Sequence, residues 1–151
     1  FTLKLKAKGV TYDAAKSRAL GPGGKIYNGT FMGEKATFMV FFNAKSRIVF
    51  GVSVELSYSS VELARVPFTN IAGQLLKKYP KAVYGANKNS NGDTNGLTFS
   101  IPNEADTEKI GVIIQTLNNS QSPLKDDCTI SLTYTDVENF KNSEALNNED
   151  L

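Results

Sequence analysis

Residues that commonly carry chemistry are scarce in this chain. It contains no histidine and a single cysteine, Cys128. That excludes Ser-His-Asp triads, Cys-His dyads, histidine-ligated zinc and an intrachain disulfide. An enzyme made from this sequence would have to work with carboxylates, lysine, tyrosine or serine. Two acidic clusters are available: Glu104, Asp106 and Glu108, and the neighbours Asp126 and Asp127. A hydrolase acting on glycosides can use two such acids several ångströms apart. Both clusters, however, stand beside prolines, Pro102 and Pro123, in segments that read as loops, where solvated acids are routine. The expectation is therefore no catalytic residues, with a carboxylate-pair hydrolase as the alternative.

Two loops resemble ligand-binding motifs and fail on spacing. The run from Asn87 to Gly96 alternates oxygen-bearing side chains as a calcium loop does, but that loop needs a bidentate Glu at its twelfth position. Counted from Asn87 that position is Thr98, and counted from Asn91 it is Pro102, so a polar turn is expected and no metal. Gly21-Pro22-Gly23-Gly24-Lys25 suggests a phosphate loop. Ala19 and Ile26 stand where that motif requires Gly and Ser or Thr, so no nucleotide or other cofactor is expected. Cys128 alternates in register with Ile130, Leu132 and Tyr134, which makes it a small buried hydrophobe rather than a reactive thiol.

The candidate binding residues come from a parity argument. In Ala36-Thr37-Phe38-Met39-Val40-Phe41-Phe42, if Phe38, Val40 and Phe42 face the core, Met39 and Phe41 must point to the opposite side. That side should be wet, and a Met and a Phe forced onto it form an apolar contact surface. Val49, Gly51 and Ser53 of the next run would share the surface, with Tyr27 beside it and Arg47 as a polar rim. Tyr27, Met39, Phe41, Val49 and Arg47 are thus the predicted site for a partner protein or a small apolar ligand.

The elements that must position these residues follow from periodicity. Six strand-like runs are legible: 27–31, 36–42, 47–56, 97–101, 110–117 and 128–135. The first three are joined by turns too short for a parallel crossover, so they are antiparallel neighbours. In the third, Ile48, Phe50, Val52, Val54 and Leu56 alternate with polar or small residues, which assigns them to the core face. Phe1, Leu5 and the terminal Gly9 read as the last turns of a helix. Pro67 suits the first turn of a second helix, in which Phe68, Ile71, Leu75 and Tyr79 recur at spacings of three and four before Pro80. The segment 81–96 reads as a long polar loop, preceded by a short strand at 82–84. Helix plus three strands, twice, suggests an α-β-β-β duplication. The predicted fold is α+β and two-layered: a six-stranded antiparallel sheet with helices on one face.

Size and charge set the outer bounds. A chain of 151 residues supports one domain and can bury roughly 68–70% of its unfolded surface without staples. The domain is assigned to 1–136, and 137–151 to an acidic tail or short helix with Val137 and Phe140 as anchors. Residues 1–25 hold six bases against one acid, whereas 126–151 hold seven acids against Lys141. The basic end carries too few aromatic residues for base stacking, so no nucleic-acid partner is expected. No apolar run approaches the roughly 20 residues of a membrane-spanning helix.

Several segments together carry a resemblance. The opening Phe1-Thr2-Leu3-Lys4-Leu5-Lys6-Ala7-Lys8-Gly9, the stretch Gly29-Thr30-Phe31-Met32-Gly33-Glu34-Lys35 ahead of a strand, Arg47-Ile48-Val49 and Leu76-Lys77-Lys78-Tyr79 resemble a group of small exported domains of gut Bacteroidetes. The resemblance covers residues 1–135. It implies a signal peptide upstream of Phe1 and export to the periplasm or cell surface. Members of that group carry no assigned activity, so it transfers no functional residues. The helix-plus-meander pattern is also similar to β-lactamase-inhibitor-like folds, at the level of fold alone. The sequence reading is therefore an exported, non-catalytic binding or interaction domain.

Overall fold

A computed structural model describes residues 9–88, 94–102, 108–118 and 128–148. Within them the chain is α+β with an antiparallel sheet. The strands are β1 (Thr11–Asp13), β2 (Gly24–Phe31), β3 (Glu34–Phe42), β4 (Val49–Tyr58), β5 (Val83–Lys88), β6 (Thr94–Pro102), β7 (Glu108–Asn118) and β8 (Cys128–Asp136). The helices are α1 (Ala14–Leu20), α2 (Val61–Lys78) and α3 (Val137–Asn148). All eight strands join one sheet in the order β1-β2-β3-β4-β8-β7-β6-β5. The last strands of the two successive meanders, β4 and β8, meet at its centre.

Six strands were expected and eight are present. The additions are the two edges. β1 is three residues long and falls below what periodicity resolves. β5 extends a predicted stub at 82–84 because the segment read as a polar loop is instead the far arm of a hairpin with β6. The helix expected over Phe1–Lys8 lies outside the described residues, although Gly9, its predicted cap, does have a positive φ of 74°.

One sheet face carries Phe38, Val40, Val52, Val54, Leu56, Ile130 and Leu132 in mutual register. α2 lies across it, burying Ala64, Ile71, Ala72 and Leu75; Ala64, Ile71 and Leu75 join Ala36, Val54, Leu56, Cys128, Ile130 and Leu132 in the main core, while Val40 packs with Val10 and Tyr27 in a second cluster. The helix begins at Val61 rather than Pro67. Ser60 caps it by accepting a hydrogen bond from Leu63 N–H at 3.3 Å, and the cap, not the proline, sets the start. Pro67 is interior to the helix. The carbonyl it deprives of a partner is that of Leu63, an exposed residue, so water can satisfy it.

The helices do not all lie on one face. Asp13 caps α1, accepting from Lys16 N–H at 3.0 Å, and α1 packs over the opposite face from α2. Leu20 fills the space above Gly24, where an added Cβ would come within 2.4 Å of its Cδ2. Ser17 Oγ accepts the Ile26 N–H at 2.8 Å and donates to Asp13 O at 2.6 Å. This side-chain bridge fixes the short helix to β2. α3 closes the end of the sheet beside the β3–β4 turn. No described helix is long and apolar enough to cross a membrane.

Candidate functional site

The predicted contact surface is assembled around β3, and the structure redistributes its members. Met39 and Phe41 do lie on the face away from α2, opposite Ser53 and Gly51. That face is not open. Met39 and Phe41 are each half-buried, Ile26 beside Met39 is buried under α1, and Ser53 is only 3% exposed. Ser53 Oγ lies 3.0 Å from Thr133 Oγ1 and 3.3 Å from Ser131 Oγ, so the hydroxyls there satisfy one another. The space over Gly51 is filled by the Phe41 ring, whose Cδ2 stands 3.5 Å from where a Gly51 Cβ would be.

Tyr27 leaves the site altogether. It pairs with Phe38 across β2–β3, and so shares the opposite face. There it is 2% exposed, packed with Val10 and Val40, its ring 5.5 Å from that of Tyr12. Strand parity decides this: Tyr27 and Phe38 are cross-strand partners, and partners project to one side.

Val49 and Arg47 are placed by a β-bulge. Phe41 pairs with Gly51 and Phe42 with Val49, which leaves Phe50 as an extra residue on β4. The alternation read from Ile48 to Leu56 therefore changes phase at Phe50. Ile48, assigned to the core, is instead 49% exposed, and Val49 is exposed beside it. Arg47 takes a positive φ of 60° in the turn, and its guanidinium lies over the Phe42 ring, 5.5 Å from the centroid. Lys25 sits over the same ring at 5.7 Å.

Asn43 organises this end of the molecule. Buried, it accepts from Lys45 N–H and Ser46 N–H with Oδ1, both at 2.9 Å, and donates with Nδ2 to Ser143 Oγ at 3.0 Å and Ser143 O at 3.3 Å. One amide thus shapes the β3–β4 turn and anchors α3. Asn139 Nδ2 adds a bond to Val49 O at 3.4 Å. Behind them three rings stack in series: Phe41 and Phe50 with centroids 6.5 Å apart, then Phe50 and Phe140 edge-on at 5.5 Å. Among the described residues at this end, the exposed apolar side chains are Ile48, Val49 and, from the stack itself, Phe140. Phe140 was legible as an anchor of the tail. The Asn43–Ser143 contact had no sequence signal, since its partners are a hundred positions apart.

Glu55 lies half-buried on the same face as Met39, and burial pushes its carboxyl above the usual carboxylate range. The charge acting on it is Lys16, a cation, which partly offsets that rise. Glu104, Asp106, Asp126 and Asp127 lie outside the described residues, as does the side chain of Glu108 and the middle of the loop compared with a calcium site. Among the described residues no group of three acids or cysteines could hold a metal. Cys128 is buried at the start of β8, and burial raises its thiol further. Comparison of the chain with protein-family models, with curated proteins and with solved structures returns no match.

Proposed function

We propose that this chain is an exported, non-catalytic interaction domain, and that its contact surface lies at the end of the sheet where the β3–β4 turn meets α3. The observation that carries the reading is the exposure of Ile48, Val49 and Phe140 where the β3–β4 turn is tied to the start of α3. Phe41 and Phe50, against which Phe140 packs, and the Asn43 amide hold the backbone of this end, so the patch is ordered before any partner arrives, which lowers the entropic cost of binding. Arg47, fixed over Phe42, supplies a polar rim of the kind that surrounds apolar contact patches. Met39 and Phe41 support the surface from below. The partner that suits it is a protein or a small apolar ligand. Export rests on the resemblance of residues 1–135 to exported domains, and an α-β-β-β duplication is consistent with two meanders whose last strands pair centrally.

The hydrolase alternative rests on Glu104, Asp106 and Glu108 or on Asp126 and Asp127, whose side chains lie outside the described residues. The test uses an apolar probe, anilinonaphthalene sulfonate, on the folded chain. Ile48→Asp with Val49→Asp should abolish the fluorescence enhancement and leave the melting temperature within a few degrees. An enhancement unchanged by the double substitution would show that the patch binds nothing apolar, and the reading would fail.

A further inference from the structure

The outward face of α2 has a composition that the core does not explain. At about 100° per residue, Val66 and Gly73 stand diametrically opposite the buried Ile71 and Leu75. Val66 is 68% exposed. Gly73 has nothing among the described residues within 4 Å of where a Cβ would lie, so no close approach to them requires a glycine there, and its helical φ requires none either. An exposed glycine in mid-helix destabilises the helix relative to alanine. Leu63 and Leu76 are exposed on the two flanks of the same stripe. Glu62 stands at its start and Lys77 at its end. The Glu62 carboxylate is fixed at the helix start by Ser60 and its own backbone N–H, which hold it below the usual carboxylate range. Lys77 makes no salt bridge with the described residues.

These positions are self-complementary. The pair Val66 and Gly73 and the pair Glu62 and Lys77 share one midpoint, between Thr69 and Asn70. We infer that α2 is the interface of a homodimer in which two copies of the helix pack antiparallel about a twofold axis at that midpoint. Val66 of each copy then enters the gap above Gly73 of the other, a knob meeting the only helix position without a side chain. Glu62 of each copy reaches Lys77 of the other, so both ends close with an ion pair, and Leu63 and Leu76 cover the sides. A twofold contact uses one patch twice, which is why complementarity within a single helix is sufficient. The charges give register as well as attraction: a parallel pairing would set Glu62 against Glu62 and Lys77 against Lys77. One helix face buries less than the roughly 1,200 Å² of a standard interface, so the dimer is weak and concentration-dependent. This surface is distinct from the β3–β4 end, and either assignment can fail without the other.

Sedimentation equilibrium of the full chain up to about 1 mM, the range of weak association, provides the test. The wild-type mass should rise toward twice the monomer. Gly73→Leu should abolish the rise while raising the melting temperature, because leucine fills the gap but favours the helix. Glu62→Lys and Lys77→Glu should each weaken association by about tenfold. An equimolar mixture of those two variants should recover it as a heterodimer, since one ion pair then forms in its original polarity and the other in reversed polarity. A monomer throughout would overturn the inference. So would a dimer indifferent to Gly73→Leu, or charge variants that fail to rescue one another.

Discussion

Truncating Leu75 to alanine tests whether α2 is held to the sheet as described. Leu75 is 4% exposed and sits in the main core beside Ile71, against Val54, Leu56, Ile130 and Leu132. Three carbons are lost, worth about 2.4 kcal/mol at roughly 0.8 kcal/mol each, and a cavity adds to that because β4 and β8 are central strands that cannot close on it. The other buried positions of α2 apart from Ile71 are alanines, so few large side chains can move to fill the space. The expected loss is about 3–4 kcal/mol, within the range of about 2–5 for such changes. That is a large part of a typical total of about 5–15 kcal/mol. Urea titration followed by circular dichroism reads it directly, and for a domain of this size the melting temperature should fall by roughly 2–4 °C per kcal/mol. Lys77→Ala serves as the reference and should change stability by less than about 0.5 kcal/mol. Equal small losses for the two variants would mean that the buried face of α2 is misassigned.

The pH dependence of Glu55 has a definite sign. Its folded pKa is raised by burial, so its contribution is intact below the unfolded carboxylate pKa and is lost as pH rises through the folded value. Glu55→Gln should therefore raise the melting temperature at pH 7, with the difference vanishing below about pH 4, and a constant difference across that range would contradict the burial. Asn43→Ala leaves the Lys45 and Ser46 amides without their acceptor and should cost about 1–3 kcal/mol. Hydrogen exchange should rise both in the β3–β4 turn and in α3, and a rise confined to the turn would break the proposed link. Cys128 should react with iodoacetamide only after urea unfolding, as mass spectrometry would show. Rapid labelling of the native chain would mean the start of β8 opens readily. Ser17→Ala removes the acceptor of the buried Ile26 N–H, and that amide should exchange faster than its neighbours on β2.

The sheet was largely legible because period-two alternation is a local property. Cys128, Ile130 and Leu132 alternate with hydroxyl residues, and each is buried as the pattern requires. Failures arose where the backbone departs from that period without a change in residue type. The bulge at Phe50 inserts one residue into a run that alternates on paper, so Ile48 was assigned to the wrong side. Parity alone would have removed Tyr27 from the site, since Tyr27 and Phe38 are register partners, but register is a property of two strands and is not written in either one. Pro67 misdirected the helix boundary because its preference for a first turn is weaker than a serine cap seven residues upstream. The polar composition of 81–96 concealed β5, whose residues are all exposed and offer no apolar alternation to read. Contacts such as Asn43 to Ser143 depend on where α3 lands, which no nearby residue announces.

The seam between β4 and β8 has a consequence for how the chain reaches its native state. Every other neighbouring pair in the sheet joins strands adjacent in sequence, whereas across this seam the hydroxyls of Ser53 and Ser131 come from positions seventy-eight apart. Hairpins close in microseconds, but a loop of that length carries an entropic cost that must be met before its contacts stabilise anything. Each meander can thus assemble early while its inner edge, β4 or β8, waits unpaired. The rate-limiting event is then the meeting of two preformed half-sheets, after which α2 has a complete floor to lie on. Cutting the chain between Tyr58 and Ser59 severs no strand and no helix, and the two pieces, mixed, should zip along the seam into a noncovalent whole. The same exposed edges, at high concentration, would pair with those of other chains, so the period before closure is when this molecule is most prone to exchange halves with its neighbours.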